Sequence, residues 1–212
     1  MVRPARPLSL GVSPHQSMSA DTLKLSKFDV AERQLLQAIR LFFSQGDEVS
    51  IHTLAEASGQ VLYDTRAQHG GGTSLVRDSD SIRPEYKKLW LQYAFRAKNF
   101  FKHADKDGSE VHEFKTETNH FSLLDAVNLY RTAKKSWTPE TLMFIAWFLL
   151  KYPELINDKN PDVAAFIKSN SGVARPVDVN DFAAWSTCIE ELRSGRRALA
   201  NITLAMGLPR EG

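Results

Sequence analysis

Arg96, Asn99 and His103 follow one another at intervals of three and four residues. On one helix turning 100° per residue, Arg96 and His103 lie about 20° out of line and roughly 10 Å apart along the axis, with Asn99 between them. A guanidinium, an amide and an imidazole in such a row can converge on one phosphate or one 2′-hydroxyl. The arginine would hold the anion by charge-assisted hydrogen bonds. The histidine would give or take a proton near neutral pH. The same three side chains could equally cap neighbouring helix ends or satisfy loop carbonyls, so a structural role stands beside the chemical one. Plain ligand binding is a third reading.

Other reactive residue types form weaker patterns. His52 stands four residues before Glu56, the spacing of a surface pair. His112 and His120, with Asp105 or Glu113, lack the paired i, i+4 spacing of metal ligands, so no metal is expected. Cys188 is the single cysteine, which excludes an internal disulfide or a multi-cysteine zinc site and suits a core thiol. Gly70-Gly71-Gly72 has neither the spacing nor the Lys-Ser/Thr of a phosphate loop, and a mobile loop from His69 to Ser81 is expected. Asp105, Asp107 and Glu110 do not continue to the twelfth-position glutamate of a calcium loop. There is no dinucleotide fingerprint, and no cofactor is expected. The tryptophans Trp90, Trp137, Trp147 and Trp185 coincide with helical apolar stripes, and most of them are expected in the core.

The elements that would position the row are helical. Ser26 and Asp29 resemble a capping box, followed by Val30, Leu35, Leu36, Ile39, Phe42 and Phe43 at helical spacing, with Gly46 as a stop. Asp47 or Ser50 restarts the chain into Ile51, Leu54, Ala55, Val61 and Leu62, and the tight link implies an antiparallel hairpin. Arg83-Pro84-Glu85 opens a third helix expected to run to Ala104, with Tyr86, Leu89, Trp90, Tyr93, Ala97, Phe100 and Phe101 facing the core. A turn and a short extended segment, Val111 to Lys115, should follow. Asn119 is the expected cap of the next helix, and Thr138-Pro139-Glu140 begins another. The run Leu142–Leu150 is apolar on nearly every face, as in the centre of a bundle. Further starts fall at Asn160-Pro161 and Asn180, the last continuing past Gly195 to Leu204. The expected fold is an all-α single bundle of about six or seven helices, with a disordered Pro- and Ser-rich leader over 1–24. Met18 is an alternative start within that leader.

A chain of 212 residues with 42% apolar and 25% charged side chains fits one ordinary globular domain, here 25–212. No apolar run is long enough for a bilayer, and no secretory signal is visible, so a cytoplasmic location without membrane contact is expected. The 27 basic and 25 acidic residues nearly cancel, yet 83–106 carries seven basic residues against two acidic ones. A local basic segment on a neutral body suits a local polyanion contact, not a dedicated DNA-binding domain.

The segment Arg96-Ala-Lys-Asn-Phe-Phe-Lys-His103 resembles the Arg-x(4–6)-His motif of HEPN domains. The hairpin over 31–62, and Asn99-Phe-Phe-Lys-His-Ala-Asp105, are also similar to bacterial proteins of this bundle type. The resemblance covers about 27–150, with C-terminal helices over about 160–206 outside it. HEPN domains are helical bundles, often dimeric. Many are metal-independent endoribonucleases in toxin–antitoxin, abortive-infection or CRISPR-linked systems, and others only bind. The resemblance implies a homodimer, RNA as substrate and an antitoxin-type protein partner. Arg96 would stabilise the phosphorane-like charge, His103 would be general acid or base, and Asn99 would orient His103 or the phosphate. Lys98 and Lys102 would be RNA or phosphate contacts. The residue after the motif arginine is polar in nuclease members and is Ala97 here. A non-catalytic binding or scaffold module, with the row structural, is the alternative.

Overall fold

The structure, a computed structural model, describes residues 22–105, 108–157, 178–199 and 202–205, together with 159, 164 and 168. Most of the expected leader, including Met18, and the helix start expected at Asn160-Pro161 lie outside these residues. Among the described residues stand seven α-helices: α1 (Lys27–Phe43), α2 (Glu48–Asp64), α3 (Lys87–Ala94), α4 (Arg96–Lys102), α5 (Thr118–Lys134), α6 (Pro139–Lys151) and α7 (Phe182–Arg193). The only bridge among them joins Trp137 to Leu204, so the fold is all-α. No helix among the described residues is long and apolar enough to cross a membrane.

Local chemistry sets the helix ends. Ser26 and Asp29 complete a reciprocal capping box on α1, and Asp47 caps α2 through the Ser50 amide at 2.7 Å. α1 stops in a Schellman arrangement: Gln45 N–H donates to Phe42 O and Gly46 N–H to Leu41 O. The left-handed position there is Gln45 at φ 53°, not the glycine expected to end the helix. Thr138 caps α6 with Pro139 in its first turn. Asn119 does not cap α5. It lies inside the helix, whose cap position is Glu117.

The hairpin is antiparallel: the Ser58 hydroxyl near the end of α2 donates to Ala31 O near the start of α1. α5 runs parallel to α2, through the pairs His52–Asn119 and Glu56–Ser122, and Gly59 faces Ala126. α6 and α7 close the other side through Phe42, Phe43, Phe144, Trp147, Phe182 and Trp185. Glu140 ties three helices together, at 2.6 Å from Arg40 of α1 and 3.5 Å from Arg193 of α7. α7 ends at Arg193 and the chain turns at Gly195, so the helix does not continue to Leu204 as expected.

Two further expectations are overturned. The loop from His69 to Ser81 is anchored, not mobile. Buried Asp125 of α5 accepts from Ser74 Oγ at 2.8 Å and from the Leu75 amide at 2.6 Å, with Arg77 Nη1 at 3.4 Å. The third helix is also not continuous. It begins as a 3-10 turn over Pro84–Tyr86 and breaks at Phe95 (φ −103°, ψ 15°) between α3 and α4. The Phe95 ring lies under two cations, Arg77 at 4.4 Å and Lys98 at 5.0 Å, and Arg77 is itself held by Asp125 and Gln60. Tertiary contacts thus override local helix periodicity at this residue. The expected core stripe fails from Tyr86 along α3, where Tyr86, Leu89 and Tyr93 are 55%, 64% and 71% exposed and no residue of the helix is buried; it holds on α4 at Ala97, which is buried.

Candidate functional site

α4 is short, and only Ala97 on it is fully buried. Arg96 is its first residue, and His103 follows its last with an extended backbone (φ −126°, ψ 122°). Arg96, Asn99, Lys102 and His103 are all exposed. No side chain of Arg96, Asn99 or His103 forms a hydrogen bond or ion pair with another described residue. They cap no helix end and satisfy no loop carbonyl there.

Lys98 behaves differently from the phosphate contact expected of it. Its ammonium turns inward, 2.6 Å from Gln60 Oε1 and 3.9 Å from Glu56 Oε2. Burial pulls its pKa below the usual lysine range, against the opposing pull of Glu56. Glu56 in turn accepts from the Ser122 hydroxyl at 2.7 Å. This charge network is the seat of α4 on α2. Of the two lysines expected to meet RNA, Lys102 alone remains exposed.

His52, expected on the surface beside Glu56, is fully buried because α2 is packed between α1 and α5. Asn119 Nδ2 is committed to Glu48, so its Oδ1 accepts from His52 Nδ1 at 3.0 Å. That hydrogen bond leaves Nε2 as a buried acceptor with no partner among the described residues. The ring is framed edge-on by Phe101 and Phe114, and burial lowers its pKa, so it is neutral at pH 7.

After α4 the chain returns along it over 110–118, enclosing two adjoining cavities of about 440 and 200 Å³. Arg96, Val111 and His112 line both. Tyr93, Phe114 and Thr118 border the larger lobe; Asn99 and Phe100 border the smaller. His112 leans on the Phe100 ring, with centroids 5.2 Å apart and planes at 39°. The groove therefore brings together Arg96 and Asn99 from the expected set. His103 is not among its lining residues, and His112 takes the facing position. Nothing in the helical periodicity around α4 identifies His112, which is recruited by the return of the chain.

Comparison with known proteins adds no relative. No family model, curated protein or solved structure matches the chain. The HEPN resemblance rests on its own residues.

Among the described residues, no group of three or more His, Cys, Asp or Glu side chains could hold a metal ion. His120 is packed edge-on against Trp147 at 4.8 Å, with Nδ1 2.6 Å from the Tyr152 hydroxyl. Its pKa is lowered to about 4, first by burial and then by Lys151. Cys188 is buried, with Arg197 Nη1 2.9 Å from its sulfur.

Proposed function

We propose that this chain binds RNA across its α3–α4 face and cleaves it without metal, as a HEPN-type endoribonuclease. The observation that carries the reading is the display of Arg96, Asn99 and His103. They are exposed and have no side-chain partner among the described residues, Arg96 and Asn99 on α4 and His103 just past its end, while Ala97 and Lys98 are already engaged inward. Side chains held this way contribute little to stability, and a guanidinium without a protein partner keeps its donors for an anion.

In the reaction, a 2′-hydroxyl loses its proton to a histidine base and attacks the adjacent phosphorus. The bond to the 5′-oxygen breaks, that oxygen takes a proton from a histidine acid, and a 2′,3′-cyclic phosphate remains. Arg96 stabilises the charge that gathers on the phosphoryl oxygens. One His103 per protomer supplies base and acid when two copies face each other, the homodimer that the resemblance implies. Cytoplasmic RNA is the corresponding substrate, and an antitoxin-type protein would control the face by covering it.

A non-catalytic RNA-binding module is the second reading, favoured by Ala97, which is buried where nuclease members carry a polar residue. Cleavage of a labelled mixed-sequence RNA in EDTA, comparing wild type with His103→Ala, separates the two. The expected result is cleavage by the wild type alone at an unchanged melting temperature. RNA binding without cleavage, weakened by Arg96→Ala, selects the binding module. Neither cleavage nor binding overturns both.

A further inference from the structure

We infer that the paired cavity beside α4 holds one nucleotide of a single-stranded RNA, its phosphate at Arg96 and His112 and its base in the larger lobe. This subsite rests on the RNA reading above and specifies where the strand lies.

Size is the first support. The larger lobe, about 440 Å³, falls within the range of small-ligand pockets, and the adjoining lobe adds about 200 Å³. Because Arg96, Val111 and His112 border both lobes, a group linking two parts of a ligand sits beside them. The Arg96 guanidinium and both His112 ring nitrogens have no hydrogen-bonding partner among the described residues. Five N–H donors and an imidazole at one boundary suit a phosphate.

The surrounding chemistry argues for a nucleotide over a bare anion. Tyr93 and Phe114 border the larger lobe and give aromatic surface for a base, a contact that tolerates any base. Glu113 and Thr118 line the same lobe and offer hydrogen-bond partners to base edges, while Glu110 lines the smaller one. These two carboxylates repel a phosphate in any form and Lys115 offsets only part of their charge, so contacts to the base must add to the hold on the anion. A base entering the lobe must be unstacked, which a single strand permits and a duplex resists.

Val111 gives a clean test, because it borders both lobes and is 93% exposed. The probe is a fluorescein-labelled RNA of about 12 nucleotides, within the footprint of single-strand binders, read by anisotropy in EDTA. Val111→Asp should weaken binding roughly five-fold and Val111→Lys should strengthen it by a similar factor, both at the wild-type melting temperature. Arg96→Ala should weaken it as well, and the matching RNA duplex should bind less tightly than the single strand. Wild-type affinity in Val111→Asp and Arg96→Ala, or equal affinity for the duplex, overturns the subsite while the RNA reading stands. A wild type that binds no RNA overturns the reading and the subsite together.

Discussion

Asp125 of α5 should control the order of α3 without touching it. It holds the loop at Ser74 and Leu75, and that loop carries three tethers to the arm. Val76 O accepts from Trp90 Nε1 at 3.0 Å, Ser79 O accepts from Lys87 Nζ at 2.8 Å, and Arg77 covers the Phe95 ring at 4.4 Å. Asp125→Ala removes two close hydrogen bonds to a carboxylate, worth about 1.5–3 kcal/mol each. Burial already raises the Asp125 pKa, so part of that gain is offset by desolvation, and a net loss of about 3 kcal/mol is expected. Asp125→Asn keeps one acceptor and should lose about half as much. Since α3 has no buried residue, the loss should appear as local opening. Native-state hydrogen exchange followed by mass spectrometry would show 74–95 losing protection by up to about 100-fold, with α1, α2 and α5 close to wild type and α4, seated on α2 by Lys98, less affected. Uniformly faster exchange throughout the bundle, or an arm exchanging as in the wild type, would refute the tethering scheme.

Three other perturbations test the bundle itself. His120 and His52 both have folded pKa values below the unfolded value near 6.5, so their contribution is complete above that pH and is lost as pH falls below it, for His120 down to about 4. Because His120 is partly open to solvent, its share between pH 7 and 5 should be about 1 kcal/mol in urea unfolding, and His120→Gln should flatten the slope; parallel slopes would contradict this. Gln45→Gly relieves a left-handed residue at φ 53° and should stabilise the chain by about 0.5 kcal/mol, seen as a melting point higher by about 1–2 °C. Glu140→Ala strands Arg40 and Arg193 and should cost about 2 kcal/mol in denaturant titration, less than for fully buried partners because both guanidiniums reach water. An unchanged midpoint would mean that the triad contributes nothing net.

How much of this was legible depends on the distance over which each feature is decided. The hairpin of α1 and α2 was readable because Ser26, Asp29 and Asp47 act within three residues and the apolar spacing of α1 is regular. Thr138-Pro139 announced α6 in the same way. The break at Phe95 was not readable, because its cause is Arg77 held from α5 across the fold. His52 and Glu56 read as a surface pair and Asn119 as a helix cap, since α2 and α5 carry polar groups on faces that become buried only when the two helices meet. Of the candidate site, Arg96 and Asn99 were visible as a spaced pair on α4. His112 was not, because a chain reversal has no periodicity to betray it. Lys98 was misplaced for a related reason: a lysine among lysines gives no sign that Glu56 and Gln60 will claim it.

The absence of any buried residue on α3 bears on how such a surface changes over generations. Substitutions at Leu89, Gln92 or Tyr93 alter what the face presents without repacking α1, α2, α5 or α6. Selection can therefore retune recognition on this arm at little risk to folding, whereas drift at Asp125 would loosen the loop that holds α3. Variation tolerated in the helix and forbidden in the loop that holds it is the opposite of the usual arrangement, in which loops diversify on fixed helices.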